Sequence, residues 1–360
     1  MKTFTPTVFA VGQSYQIMAK APQPSLFWVQ VGDRCYYDHV NGILRSDTDI
    51  HRVTVPAEAL NREKQYTVCE QKIIERKPYF SQVGAVEKTV YPFHPVEADP
   101  VRAYHIADAH NMVAQPIAAA QAFGEFDLLI LNGDVPDHSG QTKNFDHIYE
   151  ICSALTHGSL PVIFSRGNHD MRGVCAEKLA EYTPVSNGKS YYTVRLGSLW
   201  ALVLDCGEDK EDSCEEYGGT VCCHAFRQEE TEFLLDVIRR AEEEYAAEGV
   251  TVRLVIVHSP FTEKFRGKFD IENEIYDRWC QLLRDEIKPD FMLCGHVHRL
   301  QVRKAGCSED ARGQACTVIT GSESDYKSYF AGAGYCFSPE GTQLTFTDSK
   351  GKILHTEQLS

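Results

Sequence analysis

The sequence predicts an α/β catalytic fold preceded by a small all-β domain, and three features support this prediction. After residue 100, short and wholly apolar runs alternate with helical patterns, which is typical of a layered sheet whose strands are buried on both faces. Before residue 95, the chain offers short β-type runs between turn-prone residues. From about residue 300 it returns to β-type runs, such as residues 316–320 and 344–346.

Residues 1–95 predict a β-sandwich of the fibronectin or immunoglobulin kind. They show no helical period, and turn signals such as Asn41-Gly42 separate their strand-like runs. The clearest runs are Ser25–Val31, His51–Val55 and Gln65–Cys69. A proline-containing segment then predicts a linker at residues 96–100, with the catalytic domain spanning residues 101–360.

Six apolar runs predict the buried strands of the catalytic domain. They are Tyr104–Ala107, Leu128–Leu131, Val162–Phe164, Leu199–Leu204, Leu254–Val257 and Phe291–Cys294. Two apolar stripes with roughly 3.6-residue spacing predict helices between these strands. One stripe consists of Leu234, Ile238, Ala241 and Tyr245, and the other of Ile271, Ile275, Trp279, Leu282 and Ile287.

The composition argues against several classes of protein. A net charge of −15 disfavours broad binding to nucleic acid or to an anionic membrane, although bound metal could still create a local cationic site for a phosphorylated substrate. Thirteen cysteines scattered along 360 residues do not resemble a disulfide framework. No signal peptide is visible before Gln13, and no apolar stretch approaches the roughly 18 residues of a membrane span. We therefore expect a cytoplasmic protein with no membrane partner.

Metal-competent side chains follow five of the six apolar runs. The blocks are Asp108-Ala109-His110, Asn132-Gly133-Asp134-Val135-Pro136-Asp137, Arg166-Gly167-Asn168-His169-Asp170, His258, and Gly295-His296-Val297-His298. Because the carboxyl ends of strands in an open α/β sheet form the ligand crevice, we expect these blocks to meet although they lie far apart in the sequence.

Seven side chains in these blocks form a candidate metal site. They are Asp108, His110, Asp134, Asn168, His258, His296 and His298. The set offers oxygen and imidazole nitrogen without thiolate, which suits Zn, Mn or Fe. Seven ligands are too many for one tetrahedral ion, but they suffice for two divalent ions if one carboxylate bridges. Two such ions, two carboxylates and a bridging hydroxide keep a net positive charge, which favours binding and hydrolysis of a phosphate ester.

The order Asp-x-His, Gly-Asp-x-x-Asp, Gly-Asn-His-Asp, His, Gly-His-x-His resembles the calcineurin-like metallophosphoesterase superfamily over about residues 100–300. The resemblance implies a four-layer sandwich in which helices flank central β-sheets. It also implies that a metal-bridging hydroxide attacks the phosphate ester. The implied ligands of the first metal are Asp108, His110, Asp134 and His298. The implied ligands of the second are Asp134, Asn168, His258 and His296, with Asp134 as the bridge.

Two further residues gain roles from the same resemblance. His169 is then not a ligand but faces the leaving group, as general acid or phosphate clamp. Asp137 would orient His169 by charge pairing. For Asp137, a simple turn or cap residue is the alternative interpretation.

The order of the two predicted domains resembles the layout of purple acid phosphatases. Those enzymes carry a tyrosine three residues after the bridging aspartate, where it binds ferric iron. Here that position is Asp137. We therefore expect a site closer to the Asp-containing branch of the superfamily than to a purple ferric site.

Several alternatives stay open at this stage. The substrate of a phosphomonoesterase would be a small phosphorylated molecule, whereas a phosphodiesterase would act on cyclic or other nucleotides, and a non-catalytic scaffold would use the fold for interaction. Arg166 and Arg172 flank the Asn168-His169 turn and could bind phosphate or form structural ion pairs. The segment Cys206–Phe226 is either a loop at the mouth of the site or a surface excursion. The sequence does not choose the metal, the role of the N-terminal domain or the oligomeric state.

Overall fold

The computed structural model describes residues 4–97, 99–338 and 340–359. Residue 98 of the predicted linker, and residues 1–3, 339 and 360 of the two predicted domains, therefore lie outside the described residues. The division of the chain into domains at residues 96–100 stays a prediction.

The described residues contain twenty-two strands and six α-helices. The strands are β1 (Thr7–Val11), β2 (Ser14–Lys20), β3 (Ser25–Val31), β4 (Arg34–Tyr37), β5 (His39–Val40), β6 (Ile43–Leu44), β7 (Ile50–Pro56), β8 (Gln65–Glu75), β9 (Gln82–Pro92), β10 (Val101–Ile106), β11 (Leu128–Asn132), β12 (Pro161–Ser165), β13 (Tyr192–Leu196), β14 (Leu199–Val203), β15 (Val252–Ile256), β16 (Phe291–Cys294), β17 (Gln301–Arg303), β18 (Thr317–Thr320), β19 (Glu323–Ser324), β20 (Phe330–Ser338), β21 (Gly341–Asp348) and β22 (Ile353–Leu359). The helices are α1 (Ala57–Glu63), α2 (Ala114–Phe123), α3 (Asp146–Thr156), α4 (Leu179–Tyr182), α5 (Cys223–Arg239) and α6 (Asn273–Leu282), and a π turn at Leu283–Ile287 continues α6.

Two sheets form the centre of the molecule. The larger sheet has the order β22-β21-β20-β10-β11-β12-β1-β2-β7, with β19 paired to β20. The second sheet has the order β13-β14-β15-β16-β18-β17. In the larger sheet β10, β11 and β12 are parallel neighbours, and in the second sheet β14, β15, β16 and β18 run parallel to one another. All six predicted apolar runs coincide with strands of these two sheets.

Alternate residues of the central strands pack into different layers. Leu128 and Ile130 of β11 face a core between the two sheets, whereas Leu129 and Leu131 contribute to a core on the helical side. The second sheet repeats the arrangement, because Ile256 of β15 belongs to the central core and its neighbours contribute to a core with α5 and α6. The predicted α/β fold with four layers, in which helices flank the central sheets, is therefore confirmed.

The N-terminal all-β region is also confirmed, with two additions that the sequence did not indicate. The strands β4, β3, β8 and β9 form a separate four-stranded sheet, but β1, β2 and β7 extend the larger sheet, since β1 pairs in parallel with β12. The second addition is α1, a short helix that forms between β7 and β8. Seven residues with one buried leucine are too short to give a detectable helical period.

The two predicted helical stripes extend beyond the α-helices themselves. Ala241 and Tyr245 follow the end of α5, and Ile271 precedes α6. All thirteen cysteines are free thiols. Among the described residues, none of the helices combines the length and the apolar character needed to cross a membrane.

Candidate metal centre

The metal-competent blocks meet where the strands of both sheets end. Asp108 follows β10, Asp134 follows β11 and Asn168 follows β12, whereas His258 and His296 follow β15 and β16 of the second sheet. The carboxyl ends of the parallel strands in the two sheets therefore supply one shared site, as the sequence predicted.

Five of the seven candidate ligands adopt a left-handed backbone conformation. Their φ angles lie between 43° and 71°, and the residues are Asp108, His110, Asp134, His296 and His298. Such angles are uncommon outside glycine and cluster at functional sites, where the surrounding structure offsets their cost. They turn the chain sharply after each strand, so that the side chains face one another.

Two glycines let the ligand-bearing turns approach closely. A Cβ atom on Gly167 would lie 2.2 Å from Oδ1 of Asp134. A Cβ atom on Gly133, whose φ is +80°, would lie 2.7 Å from Nδ1 of His258. Neither separation is sterically possible, so both positions require glycine.

The ligands implied for the first metal lie within contact distance of one another. Nε2 of His298 lies 3.4 Å from Oδ1 of Asp108 and 3.3 Å from Nε2 of His110. Nε2 of His110 lies 3.9 Å from Oδ2 of Asp134. Asp108, His110 and His298 each offer a ligand atom within 4.8 Å of the others, which is close enough to hold one ion.

The ligands implied for the second metal lie close to Asp134, and one of them, His258, also lies 3.7 Å from Oδ1 of Asp108. Oδ2 of Asp134 lies 3.1 Å from Nε2 of His258, and Nδ1 of His296 lies 3.0 Å from Oδ1 of Asn168. The same carboxylate oxygen lies 3.9 Å from Nε2 of His110, so one candidate ligand of each set approaches it. A bridging carboxylate needs such an approach from both sets.

Hydrogen bonds behind the ligands fix their orientation. Nδ1 of His258 donates to the main-chain carbonyl of Asn132 at 2.7 Å, which directs Nε2 towards the carboxylates. The side-chain amide of Asn132 donates to the carbonyl of Leu293 at 2.9 Å and so ties the larger sheet to the second sheet. Both carboxylate oxygens of Asp108 accept from the main-chain N–H of His296, at 3.0 and 2.9 Å.

Burial and neighbouring charges shift the pKa values of the histidines in the site in opposite directions. Burial lowers the pKa of His110 and of His296 to about 4. Both imidazoles are therefore uncharged at pH 7, and each can offer a ring nitrogen to a metal ion. Burial also opposes a charge on His258, but Asp134 and then Asp108 outweigh it and raise the pKa of His258 to about 10. For Asp134, burial opposes ionisation, yet contact with His258 outweighs it and holds the pKa below its usual range.

Asp170 supports the turns rather than the metal site. Its Oδ2 atom accepts the main-chain N–H groups of Gly167, at 2.7 Å, and of Asp134, at 3.1 Å. Burial and the charge of Asp134 raise the pKa of Asp170 to about 7. The carboxyl group therefore links two ligand-bearing turns.

His169 lies at the edge of the ligand cluster, and its surroundings refine the role predicted for Asp137. Nδ1 of His169 lies 2.8 Å from the main-chain carbonyl of Asp137. The carboxylate of Asp137 lies 3.9 Å from that nitrogen but 3.2 Å from Nδ1 of His110. The backbone of Asp137 thus orients His169, whereas its charge is directed mainly towards His110.

Arg166 and Arg172, which flank the Asn168-His169 turn, differ in their surroundings. Nε of Arg166 forms an ion pair of 2.7 Å with Asp205, which fits the structural alternative. Nη1 of Arg172 lies 3.2 Å from Nε2 of His169, and the same guanidinium donates two bonds to Glu208, at 3.0 and 2.9 Å. The start of the Cys206–Phe226 segment is therefore part of the site's surroundings rather than a surface excursion.

Sequence reasoning missed further residues of the site. Ser322 donates a hydrogen bond to Oδ2 of Asp108, and the hydroxyl of Tyr326 lies 2.9 Å from Nε2 of His298. A narrow pocket adjoins the site on the side of His296. Its lining includes Glu208, Asp209, Phe261, Phe265, Phe269, Tyr276 and Arg312. Serine and tyrosine in a loop after a short strand give no motif that would have revealed them.

Comparison with known proteins agrees with this geometry. Residues 101–300 match the calcineurin-like phosphoesterase family. The matched stretch is more than half of the chain, and the chain therefore belongs to this family. No curated protein matches the chain. Fold, site and family together define a metal-dependent phosphoesterase.

Two solved structures can be compared with the chain. It is similar to purple acid phosphatase PPD1 isolated from yellow lupin (Lupinus luteus) seeds, with a TM-score of 0.62 and 12% identity over 99% of this chain and 74% of that chain. At this identity the likeness shows the fold alone. The protein TT1561 of Thermus thermophilus gives a TM-score of 0.37 and 12% identity, over 72% of this chain and 99% of that chain. A score this low supports no statement about the fold.

Proposed function

We propose that the chain is a phosphomonoesterase that uses two divalent ions, of Mn, Fe or Zn, to hydrolyse a small phosphorylated molecule. One observation carries this proposal: Oδ2 of Asp134 approaches a candidate ligand of each set, with Nε2 of His110 at 3.9 Å and Nε2 of His258 at 3.1 Å. The donor atoms are imidazole nitrogen, carboxylate oxygen and amide oxygen, which fit these ions.

Asp108, His110, Asp134 and His298 would hold the first ion. Asp134, Asn168, His258 and His296 would hold the second. Such a pair of ions supplies positive charge to the phosphoryl oxygens and lowers the pKa of water towards neutrality. The protein supplies a fixed geometry, since main-chain hydrogen bonds orient Asp108 and His258 before any ion is bound.

His169 is the proposed general acid. Because a carbonyl oxygen can accept but not donate, the 2.8 Å contact with Asp137 places a proton on Nδ1 of His169. The remaining ring atom, Nε2, is the one that can hand a proton to the leaving oxygen. Nη1 of Arg172 donates to this atom at 3.2 Å in the structure. With substrate bound, that N–H would donate instead to a phosphoryl oxygen next to the leaving group, which frees Nε2 to carry the proton.

The surroundings of the site favour a small substrate. The ring of Phe265 lies 5.9 Å from that of His296, centroid to centroid, in an edge-on arrangement. It belongs to the narrow pocket with four aromatic side chains, which gives this side of the site an apolar wall and little room for a bulky group. Glu208 and Asp209 in the same pocket, together with the net charge of −15, oppose a long polyanion.

Metal content and turnover test the proposal together. We expect about two ions per chain by elemental analysis, loss of activity with a chelator, and faster cleavage of p-nitrophenyl phosphate than of its bis ester. Asp134→Asn should lose metal and activity together, whereas Asp33→Asn, at an exposed turn, should behave like the parent protein.

The possible failures point to different functions. Preference for the bis ester would replace the monoesterase proposal with a phosphodiesterase. A protein that binds two ions and turns over neither ester, nor any member of a panel of phosphorylated metabolites, would be a scaffold.

A further inference from the structure

The loop that follows β18 reaches the metal centre at two points. Ser322 is buried and donates to Oδ2 of Asp108, a ligand of the first metal set. Four residues later, Oη of Tyr326 lies 2.9 Å from Nε2 of His298, another ligand of that set. This loop therefore contacts the site independently of the five strand ends that carry the seven ligands.

The turn around Tyr326 is held in place by Asp325. Oδ1 of Asp325 accepts the main-chain N–H groups of Lys327, Ser328 and Tyr329, at 2.8, 2.7 and 2.8 Å. Tyr326 itself has a φ of 63°, which is unfavourable for an aromatic residue. Strain of this kind persists where the surrounding contacts compensate for it, and it is concentrated at functional sites.

The ring of Tyr326 covers the first set of ligands. Its centroid lies 4.7 Å from that of His298, with 24° between the planes, and 4.5 Å from that of His110. Although 49% of Tyr326 is exposed, these contacts leave its hydroxyl facing the ligands.

We propose that Oη of Tyr326 is a further ligand of the first metal ion, beside Asp108, His110, Asp134 and His298. This inference rests on the proposed function, because it concerns the same pair of ions. The position three residues after Asp134, where purple acid phosphatases carry their tyrosine, is still Asp137, so the phenol would come from a different loop.

The separations between donor atoms support the assignment. Two ligands that bind one ion at about 2.0–2.2 Å, roughly a right angle or a tetrahedral angle apart, lie about 2.8–3.6 Å from each other. The distances from Nε2 of His298 are 2.9 Å to Tyr326, 3.3 Å to His110 and 3.4 Å to Asp108. All three fall in that interval.

In the structure, the phenol of Tyr326 has Nε2 of His298 as its hydrogen-bond partner, and metal binding would remove this partner. When Nε2 of His298 gives its lone pair to an ion, it can no longer accept a hydrogen bond from Tyr326. The phenol proton would then pass to solvent, and Oη would be free to bind the ion through a lone pair. No electron is transferred in this step.

Ferric iron gives a direct optical test, because a tyrosinate bound to Fe³⁺ produces a visible charge-transfer band. The metal-free full-length protein would be loaded with Fe³⁺, its iron content measured and its visible spectrum recorded. We expect the band in the parent protein and in Tyr329→Phe, a neighbour on the same turn whose ring lies by Lys350. We expect Tyr326→Phe to lack the band at the same iron content. A band that survives in Tyr326→Phe, or an iron-loaded parent without a band, overturns the proposal.

A crystal structure of the protein loaded with Zn²⁺ or Mn²⁺ covers the case in which ferric iron is not retained. An Oη–metal distance of about 2.2 Å supports the proposal, whereas one above about 3 Å overturns it. If two ions are bound with Tyr326 as a ligand but no phosphate ester is cleaved, the proposed function is wrong and the tyrosine ligand still stands. A protein that retains no ion under any condition overturns both.

Discussion

The main-chain N–H of His169 donates a hydrogen bond of 2.8 Å to Oδ1 of Asp134. The proposed general acid is thus joined by its backbone to the carboxylate that approaches candidate ligands of both sets. The imidazole ring takes no part in this bond, so a change of the ring leaves the position of Asp134 intact. Proton donation and metal binding can therefore be tested separately.

For His169→Gln we predict unchanged metal content and a loss of about 10²–10⁴-fold in kcat on an alkyl phosphate, whose leaving oxygen needs a proton. The loss on p-nitrophenyl phosphate should be much smaller, because p-nitrophenolate leaves without protonation. Steady-state kinetics on both esters measure the difference, and His94→Gln, at an exposed position, serves as the control. Equal losses on the two esters would contradict the role of general acid.

For Arg172→Lys we predict a decrease of about 10–100-fold in kcat/KM, the value of a charged hydrogen bond. A lysine cannot reach His169 and also donate two bonds to Glu208, as the arginine does at 3.2, 3.0 and 2.9 Å. Kinetics should be paired with thermal unfolding, since the ion pair with Glu208 also contributes to stability. Arg62→Lys, at an exposed residue, is the control. A lower Tm with an unchanged kcat/KM would show that Arg172 is structural only.

For Gly167→Ala we predict loss of bound metal, because the new Cβ would lie 2.2 Å from Oδ1 of Asp134 and must displace it. Gly84→Ala is a matched control, since its Cβ would lie 3.6 Å from the Lys72 side chain, an ordinary contact. Elemental analysis after dialysis measures the effect. Retention of two ions per chain by Gly167→Ala would mean that Asp134 does not need this close approach.

The candidate ligands could be predicted from the sequence because each of them lies within four residues of the end of an apolar strand. In a sheet of parallel strands, chain direction alone decides which edge such residues occupy, so Asp108 and His258 meet although they belong to different sheets. The N-terminal region was less predictable, because pairing of β1 with β12 depends on packing between segments more than 100 residues apart.

The environment of His169 and the loop around Tyr326 could not be predicted in the same way. The contact of Arg172 with Glu208 joins two loops whose relative position depends on the second sheet. Tyr326 is separated from His298 by three short strands and their connecting turns, and its approach depends on the backbone conformation set by Asp325. Neither arrangement leaves a pattern of residue types at a fixed spacing.

A buried histidine outside the ligand set predicts how stability depends on pH. His105 in β10 is completely buried, and burial lowers its pKa to about 3, against about 6.5 in an unfolded chain. Between these values the unfolded state binds a proton that the folded state does not. The free energy of unfolding must therefore fall as the pH decreases from about 6.5 towards 3.

Replacing His105 by glutamine removes this proton from both states. We predict that the slope of unfolding free energy against pH becomes shallower by up to about 1.4 kcal/mol per pH unit in His105→Gln. Urea denaturation of the metal-free protein between pH 4 and 6.5 measures the slope, and comparing slopes rather than stabilities removes any constant cost of the substitution. The exposed His94→Gln should keep the parent slope. If His105→Gln kept it as well, His105 would be protonated in the folded protein, and burial would not control its charge.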